Sequence, residues 1–530
     1  MHPWSLLLLS YFLWTITVYI LWRLIKWSCQ RYRLLQTFRR AGISGPKPNF
    51  LFGNIRLFDK QYLWRSMDKW FEQYGHTFGY FRGDRAVLVT KNIPLIKQIF
   101  IQRARQFPNR LRLMLELQPF SSSILALRDD RWRQVRRVLT PAFNSTRIKS
   151  SVLANQMIGE SVFRLMAILK EPETCPGYIQ IQSDDNGKLI VNVSEMSKRY
   201  TLDTISHYAF AIDNEDFYRQ SPLFTMVEHF FVNNCDTVLV RSAMIYPFMK
   251  NLLKFINDHI SSGPIIDHLT GYLRQQIFRY EKQQQQCHNN NYGQQDDFDI
   301  GVRKNLLDFV LHHLNLNNLS HDELIGNLLV ILMAGYETTA FAISFVLFNL
   351  ARHTHVQDRL RQQQMDGELL DRIIYESLRL YPPVIDYLIR EISDHTNCDN
   401  YEFELDSEMK ILPNNVAIQV PVWTIHHDQE IWPKPYRFDP DRNGLPTTIT
   451  AANDPKFLAF GLSQRSCIGG SLAMAEIRAI ITRLVCDYRI ELCPGRDYQY
   501  DSNGMLRVDA HAELIKPYDN IWLQFQRLNA

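Results

Sequence analysis

The sequence lacks paired cysteines, phosphate-binding loops and hydrolase signatures. Its eight cysteines, at positions 29, 175, 235, 287, 398, 467, 486 and 493, include no CxxC pair. That argues against a disulfide framework or a zinc ribbon, and for a reducing compartment. There is no GxxxxGK[ST], GxGxxG, HExxH or GxSxG, which weakens nucleotide-binding, zinc-protease and serine-hydrolase readings. With 22 glycines and 23 prolines in 530 residues, a fibrous protein is excluded. An excess of one charge is also missing. The 59 Lys and Arg face 55 Asp and Glu, a net charge of +4, too balanced for a nucleic-acid partner. Apolar material is plentiful: 46% hydrophobic and 12% aromatic, enough for a large core and, at this length, two structural regions.

Residues Trp4 to Trp22 carry no charge. They are long enough to cross a bilayer core of ~30 Å. Arg23, Lys26, Arg31, Arg33, Arg39 and Arg40 follow this span, only His2 precedes it, and no small-residue cleavage site appears. A signal anchor with a cytosolic body is expected. Gly45-Pro46-Lys47-Pro48 reads as a stiff linker, giving an anchor over 1–44 and a body over 45–530. Short strands are expected over about 50–92 and 384–425 and in the C-terminal segment, and helices over about 93–383 and 467–486. The fold class is therefore α+β, mainly helical. The Gln/Asn-rich stretch 283–298 reads as a solvated loop. A long helix begins at Ser320, with Glu323 closing a capping box, and is apolar nearly all round, as a central core helix is.

Four short patterns carry chemistry. Phe460 to Gly469 reads as a loop that leads Cys467 into a helix whose N-terminus favours a thiolate; Gly469 lets backbone amides approach and Arg465 adds a cation. Alone, a cysteine there is more often a buried structural residue. In the long helix, Ala334-Gly335-Tyr336-Glu337-Thr338 places an acid, a hydroxyl and a missing side chain on adjacent turns. That suits a small ligand and a proton route, though a packing glycine explains the segment equally. Glu376 and Arg379 sit at i, i+3 before Pro382-Pro383, and gain meaning if buried with a further partner from Trp432 to Pro440, such as Arg437. Trp132 and Arg136 put an indole N–H and a guanidinium one turn apart, able to hold a carboxylate. A solvated basic helix is the plain alternative there.

Taken in order, WxxxR, AGxET, ExxR, PxRF and FxxxxRxCxG resemble the cytochrome P450 family of haem-thiolate monooxygenases over nearly the whole chain. The run Leu139 to Phe143 and the Cys loop are similar to the membrane-bound branch of drug-metabolising enzymes and thromboxane synthase. The resemblance implies the cytochrome P450 fold and haem b. It implies Cys467 as axial ligand of the haem iron, Thr338 and Glu337 as proton suppliers during oxygen activation, and Trp132, Arg136 and Arg465 on the haem propionates. Glu376, Arg379 and Arg437 would form a buried ion triad, with Phe460 packed under the loop. It also implies an endoplasmic-reticulum membrane protein, a lipophilic substrate and NADPH-derived electrons through cytochrome P450 reductase, with cytochrome b5 as a possible second donor. Arg131, Arg133 and Arg137 offer a face to an acidic reductase.

The chain departs from that family at three places. Ser463 replaces the usual loop glycine, where an unusual backbone angle is expected. The stretch from Thr338 to Glu376 is short for a membrane-bound relative, as Gln362-Gln363-Gln364-Met365-Asp366-Gly367 runs almost directly into the ExxR helix. Asp386 stands where such relatives often have a propionate-binding arginine, and Arg390 is not expected to replace it. Two rival readings are a haem-thiolate isomerase of lipid peroxides and a catalytically weak haem-binding relative. The Glu337–Thr338 pair favours the monooxygenase.

Overall fold

A computed structural model describes the chain except residues 1–2, 59–62, 113–114, 116–117, 145–147, 149–151, 175–178, 184–186, 211–221, 235–238, 240–241, 244–248, 261–262, 291–305, 316–317, 386–387, 397–398, 449–453, 512–513 and 529–530. Asp386 lies outside the described residues.

Helix α1 (Pro3–Leu35) runs well past the apolar span. Leu13, Trp14, Tyr19, Leu21 and Trp22 are all more than half exposed on it, which suits an apolar medium and not water. Strands β1 (Thr77–Arg82) and β2 (Arg85–Thr90) form a hairpin, Thr77 opposite Thr90. Helices α2 (Asp129–Leu139), α3 (Val193–Phe210), α4 (Pro222–Asn234) and α5 (Gly263–Asn290) lead to the central α6 (His321–Arg352). The helical course of α5 takes in residues 283–290 of the stretch expected to be a loop; glutamine is a good helix former, so its richness there opposes nothing helical.

Helix α6 starts as its sequence dictates. Glu323 N donates to Ser320 Oγ at 3.2 Å, and Ser320 N to Glu323 Oε2 at 2.8 Å. From Glu323 to Ala351 every residue is buried except Ala334, Gly335 and Thr338. This helix is long and apolar enough to cross a membrane, but its burial makes it the core of the body. Each buried Leu, Ile or Phe there contributes ~1.5–3 kcal/mol.

Helices α7 (Thr354–Gln362) and α8 (Gly367–Leu380) follow. Their short junction is a tight turn with Gln364 at φ +50° and Met365 at φ +60°, and Asp366 caps α8 through Leu369 N at 3.0 Å. Strands β3 (Ile389–Arg390) and β4 (Ala417–Gln419) complete a sheet of order β1-β2-β4-β3, with β2 parallel to β4 and β4 antiparallel to β3. Of the positions its periodicity marks, helix α9 (Gly470–Asp487) buries Leu472, Ile477, Ile480, Ile481 and Leu484 and half-buries Ala473. A second four-stranded sheet joins residues 181–183, 189–192, 522–527 and 488–492 in that order.

Candidate functional site

The Cys467 loop is shaped by its own backbone. Cys467 N donates to Phe460 O at 2.7 Å, Ser466 N to Ser463 O at 3.0 Å, and Gly461 N to Leu458 O at 2.8 Å. Gly461 and Ser463 both take left-handed conformations, φ +76° and +61°. Glycine adopts this freely, whereas an L side chain costs ~1–2 kcal/mol there. The unusual angle expected at Ser463 is therefore present. Phe460 packs, half-buried, against the main core.

The loop delivers Cys467 to the N-terminal end of α9. Burial pushes its thiol up, opposed by the Gly469 and Gly470 N–H groups and by the charges of Arg136 and Arg110. The helix end alone thus does not yield the thiolate that its position suggests. A coordinated metal ion would, because ligation deprotonates a thiol. Cys467 is deep in the body yet has accessible surface, and a Cβ added at Gly469 would meet nothing within 4 Å. Both residues border a hollow.

Arginines crowd beside it. Arg465 donates to the carbonyls of Pro108 (2.7 Å), Ile124 (3.1 Å) and Leu127 (2.8 Å), and its guanidinium lies 3.7 Å from the Trp132 ring centroid. Burial, with the charges of Arg110, Arg390, Arg136 and Arg128, pushes Arg465 down to about 7. Burial and Arg110 also lower Arg136, against the favourable field of Cys467. Burial, Arg110 and Arg136 hold Arg390 well below its usual range. Of these, Arg128 is neutralised by Glu391 (2.8 Å) and Asp394 (2.6 Å). The Trp132 Nε1 atom is buried without a hydrogen-bond partner among the described residues. Packed like charges and an orphaned N–H lower the energy of an anionic ligand. A haem with its two propionates fits this donor set beside a cysteine. Arg110 was missed in the sequence, and Arg390 set aside, because neither falls in a short pattern with the others.

On α6, Ala334 and Thr338 share a face, and Thr338 Oγ1 donates to Ala334 O at 2.7 Å. Their accessibility inside a buried helix also marks a hollow. Gly335 serves packing: a Cβ there would meet Ile205 Cδ1 of α3 at 2.9 Å. The space its missing side chain leaves belongs to Ile205, not to a ligand. Glu337 is 8% exposed. Burial raises its carboxyl, Lys198 lowers it, Glu228 raises it and Lys516 lowers it, for a result of about 7. Lys198 pairs with Glu228 at 2.8 Å, and the Tyr336 hydroxyl donates to the same carboxylate oxygen.

The ion triad forms, but with another third member. Arg379 binds Glu376 through Nε (2.7 Å) and Nη2 (2.9 Å), and donates to His426 O (2.6 Å) and Pro435 O (2.7 Å). Arg442 Nε reaches Glu376 Oε1 at 3.2 Å. Arg437 is exposed and supplies only its carbonyl, which accepts from Arg442 Nη2 at 2.9 Å. Lys434 takes a left-handed conformation, φ +52°, and the carbonyls of Pro433 and Lys434 also hold Arg442. His426, another residue missed, accepts from Leu458 N through Nε2 at 2.7 Å and so ties this network to the Cys loop.

The proposed reductase face is partly spent. Arg131 is held by Glu323 at 2.5 Å and Arg133 by Asp130 at 2.5 Å, while Arg137 is exposed.

The family model described as Cytochrome P450 matches residues 43–510. Similar proteins include Cytochrome P450 3A40 of Oryzias latipes, 24% identical over 93% of this chain and 94% of that protein. Thromboxane-A synthase of Sus scrofa is 26% identical over 90% of this chain and 91% of that protein. With the family model matched over most of its length and a cysteine loop beside a buried arginine cluster, the chain belongs to the cytochrome P450 family.

Proposed function

We propose that the chain is a haem-thiolate monooxygenase of the endoplasmic-reticulum membrane, anchored by α1. It inserts one oxygen atom of O2 into a lipophilic substrate and reduces the other to water, with NADPH electrons from a reductase. Haem b, the family's cofactor, supplies dioxygen binding and activation when bound. Cys467 would hold its iron through the thiolate, and Trp132, Arg110, Arg136, Arg390 and Arg465 would hold its propionates. Glu376, Arg379 and Arg442 brace the loop from behind through His426. Thr338 keeps a hydroxyl on the accessible face of α6. Glu337, at about 7, holds or yields a proton near neutral pH. The Thr338 hydroxyl at the one accessible stretch of a buried helix, with the buried Glu337 carboxyl next to it in the chain, is the observation that carries the oxygen-activating reading.

Similarity to thromboxane-A synthase supports a second reading, an isomerase that rearranges a lipid peroxide without O2 or reductase. The deciding experiment has two stages. The carbon-monoxide difference spectrum of reduced protein, beside Cys467→Ser, tests the thiolate ligand. Reductase-dependent O2 and NADPH consumption with lipophilic compounds then tests turnover. Consumption that falls in Thr338→Ala supports the monooxygenase. Conversion of a lipid peroxide with no O2 uptake supports the isomerase.

A further inference from the structure

Helix α1 does not end at the foot of its apolar span. Arg31, about two and a half turns beyond Trp22, is 3% exposed. A basic residue just past a membrane helix would ordinarily extend into water or toward lipid phosphate. Here the guanidinium turns inward. Nε donates to Phe50 O at 2.8 Å, Nη1 to Gly83 O at 2.6 Å, and Nη2 points to Leu51 O at 3.4 Å. Gly83 belongs to the β1–β2 turn, and Asp84 beside it adds an attractive charge. One turn earlier, Trp27 meets Phe50 edge-on, ring centroids 5.9 Å apart. A second point of attachment follows. Phe38 packs on Phe81 at 5.2 Å and lies so close to Gly79 that a Cβ there would meet its ring at 2.2 Å. Gly79 N then donates to Ser44 O at 2.9 Å.

The anchor-side residues of these contacts, Trp27, Arg31, Phe38 and Ser44, all precede the Gly45–Pro48 segment. The anchor is therefore seated on the sheet before the chain reaches the linker that was expected to separate it from the body. We propose that Arg31 is a latch that locks the anchor helix onto the β1–β2 turn and holds the catalytic body at one orientation to the bilayer. A flexible tether would leave a buried guanidinium with no use, and burying one without partners is costly. Three carbonyls converging on it engage Nε, Nη1 and Nη2 and fix the helix in azimuth as well as position. The inference rests on the anchor reading of α1 and not on the chemistry proposed for the haem site.

The test uses the full-length protein in phosphatidylcholine nanodiscs. Spin labels go on two native exposed thiols, Cys29 in α1 and Cys486 at the end of α9. The other cysteines except Cys467 are replaced by serine. Pulsed dipolar spectroscopy should give one narrow distance distribution, and Arg31→Gln should broaden it at least twofold, with Arg31→Lys between the two. Haem content, unchanged in the variants, shows that the body stays folded. A broad distribution in the parent protein overturns the proposal whatever the variants do. So does an unchanged width in Arg31→Gln. Flotation of the protein with lipid vesicles checks the anchor separately.

Discussion

The Arg465 guanidinium lies 3.7 Å from the centroid of the Trp132 ring, and the indole N–H beneath it is buried with no partner among the described residues. The stack orients both groups, while the unused N–H waits for an acceptor. Trp132→Phe keeps an aromatic face for Arg465 and removes only that donor. A hydrogen bond to a charged acceptor contributes ~1.5–3 kcal/mol. The variant should fold normally but lose haem to excess apomyoglobin about 10- to 100-fold faster. An unchanged loss rate would show that the indole does not serve the propionates.

Glu376 is fully buried and accepts from both Arg379 and Arg442. Removing one partner from a buried charge network costs ~3–5 kcal/mol. Native domains are stable by only ~5–15 kcal/mol. Arg442→Met should therefore lower the denaturant midpoint sharply and reduce haem incorporation. Arg437→Met, on an exposed side chain, should change stability by no more than ~0.5 kcal/mol. Equal effects of the two would restore Arg437 to the triad.

Local spacing made much of this fold and site legible. The Ser320–Glu323 box, the α9 periodicity and the Cys467 loop each lie within a few residues of chain. The failures share a different cause. Arg442 meets Glu376 from 66 positions away, while Arg437, nearer in sequence, is exposed. Arg31 resembled the rest of a basic flank until Phe50, Leu51 and the β1–β2 turn supplied its acceptors. Gly335 suggested ligand space because Ile205, which fills it, lies on another helix. Arg110 and Arg390 reach the arginine cluster from separate segments, so no short pattern marked them.

Ser463 offers a gain. Its φ of +61° costs a serine ~1–2 kcal/mol, and glycine there gives back part of that through unfolded-chain entropy. Ser463→Gly should raise stability by up to about 1 kcal/mol. The measurement is the midpoint of thermal loss of the carbon-monoxide band, expected to rise by a few degrees. A fall would mean that the serine side chain's own contacts outweigh the backbone strain.

Glu337 sets the pH response. Its carboxyl, raised to about 7 chiefly by burial, is protonated below that pH and ionised above it. Because the folded state favours the protonated form, the stability gained relative to a normal glutamate is full below the unfolded value near 4.5 and is lost as pH rises toward 7. Glu337→Gln should therefore be relatively more stable at pH 8 than at pH 5. If the carboxyl also supplies a proton in turnover, reductase-driven oxidation should decline above about pH 7, and that limb should vanish in Glu337→Gln. Glu228 raises the carboxyl, so Glu228→Gln should move the limb to lower pH; Lys198 lowers it, so Lys198→Met should move it higher. The infrared carboxyl band of Glu337, followed by titration, should shift in the same directions in both variants. Opposed shifts at Glu228 and Lys198 would not arise from a general loss of structure, whereas a limb fixed in both variants would assign the pH response to another group.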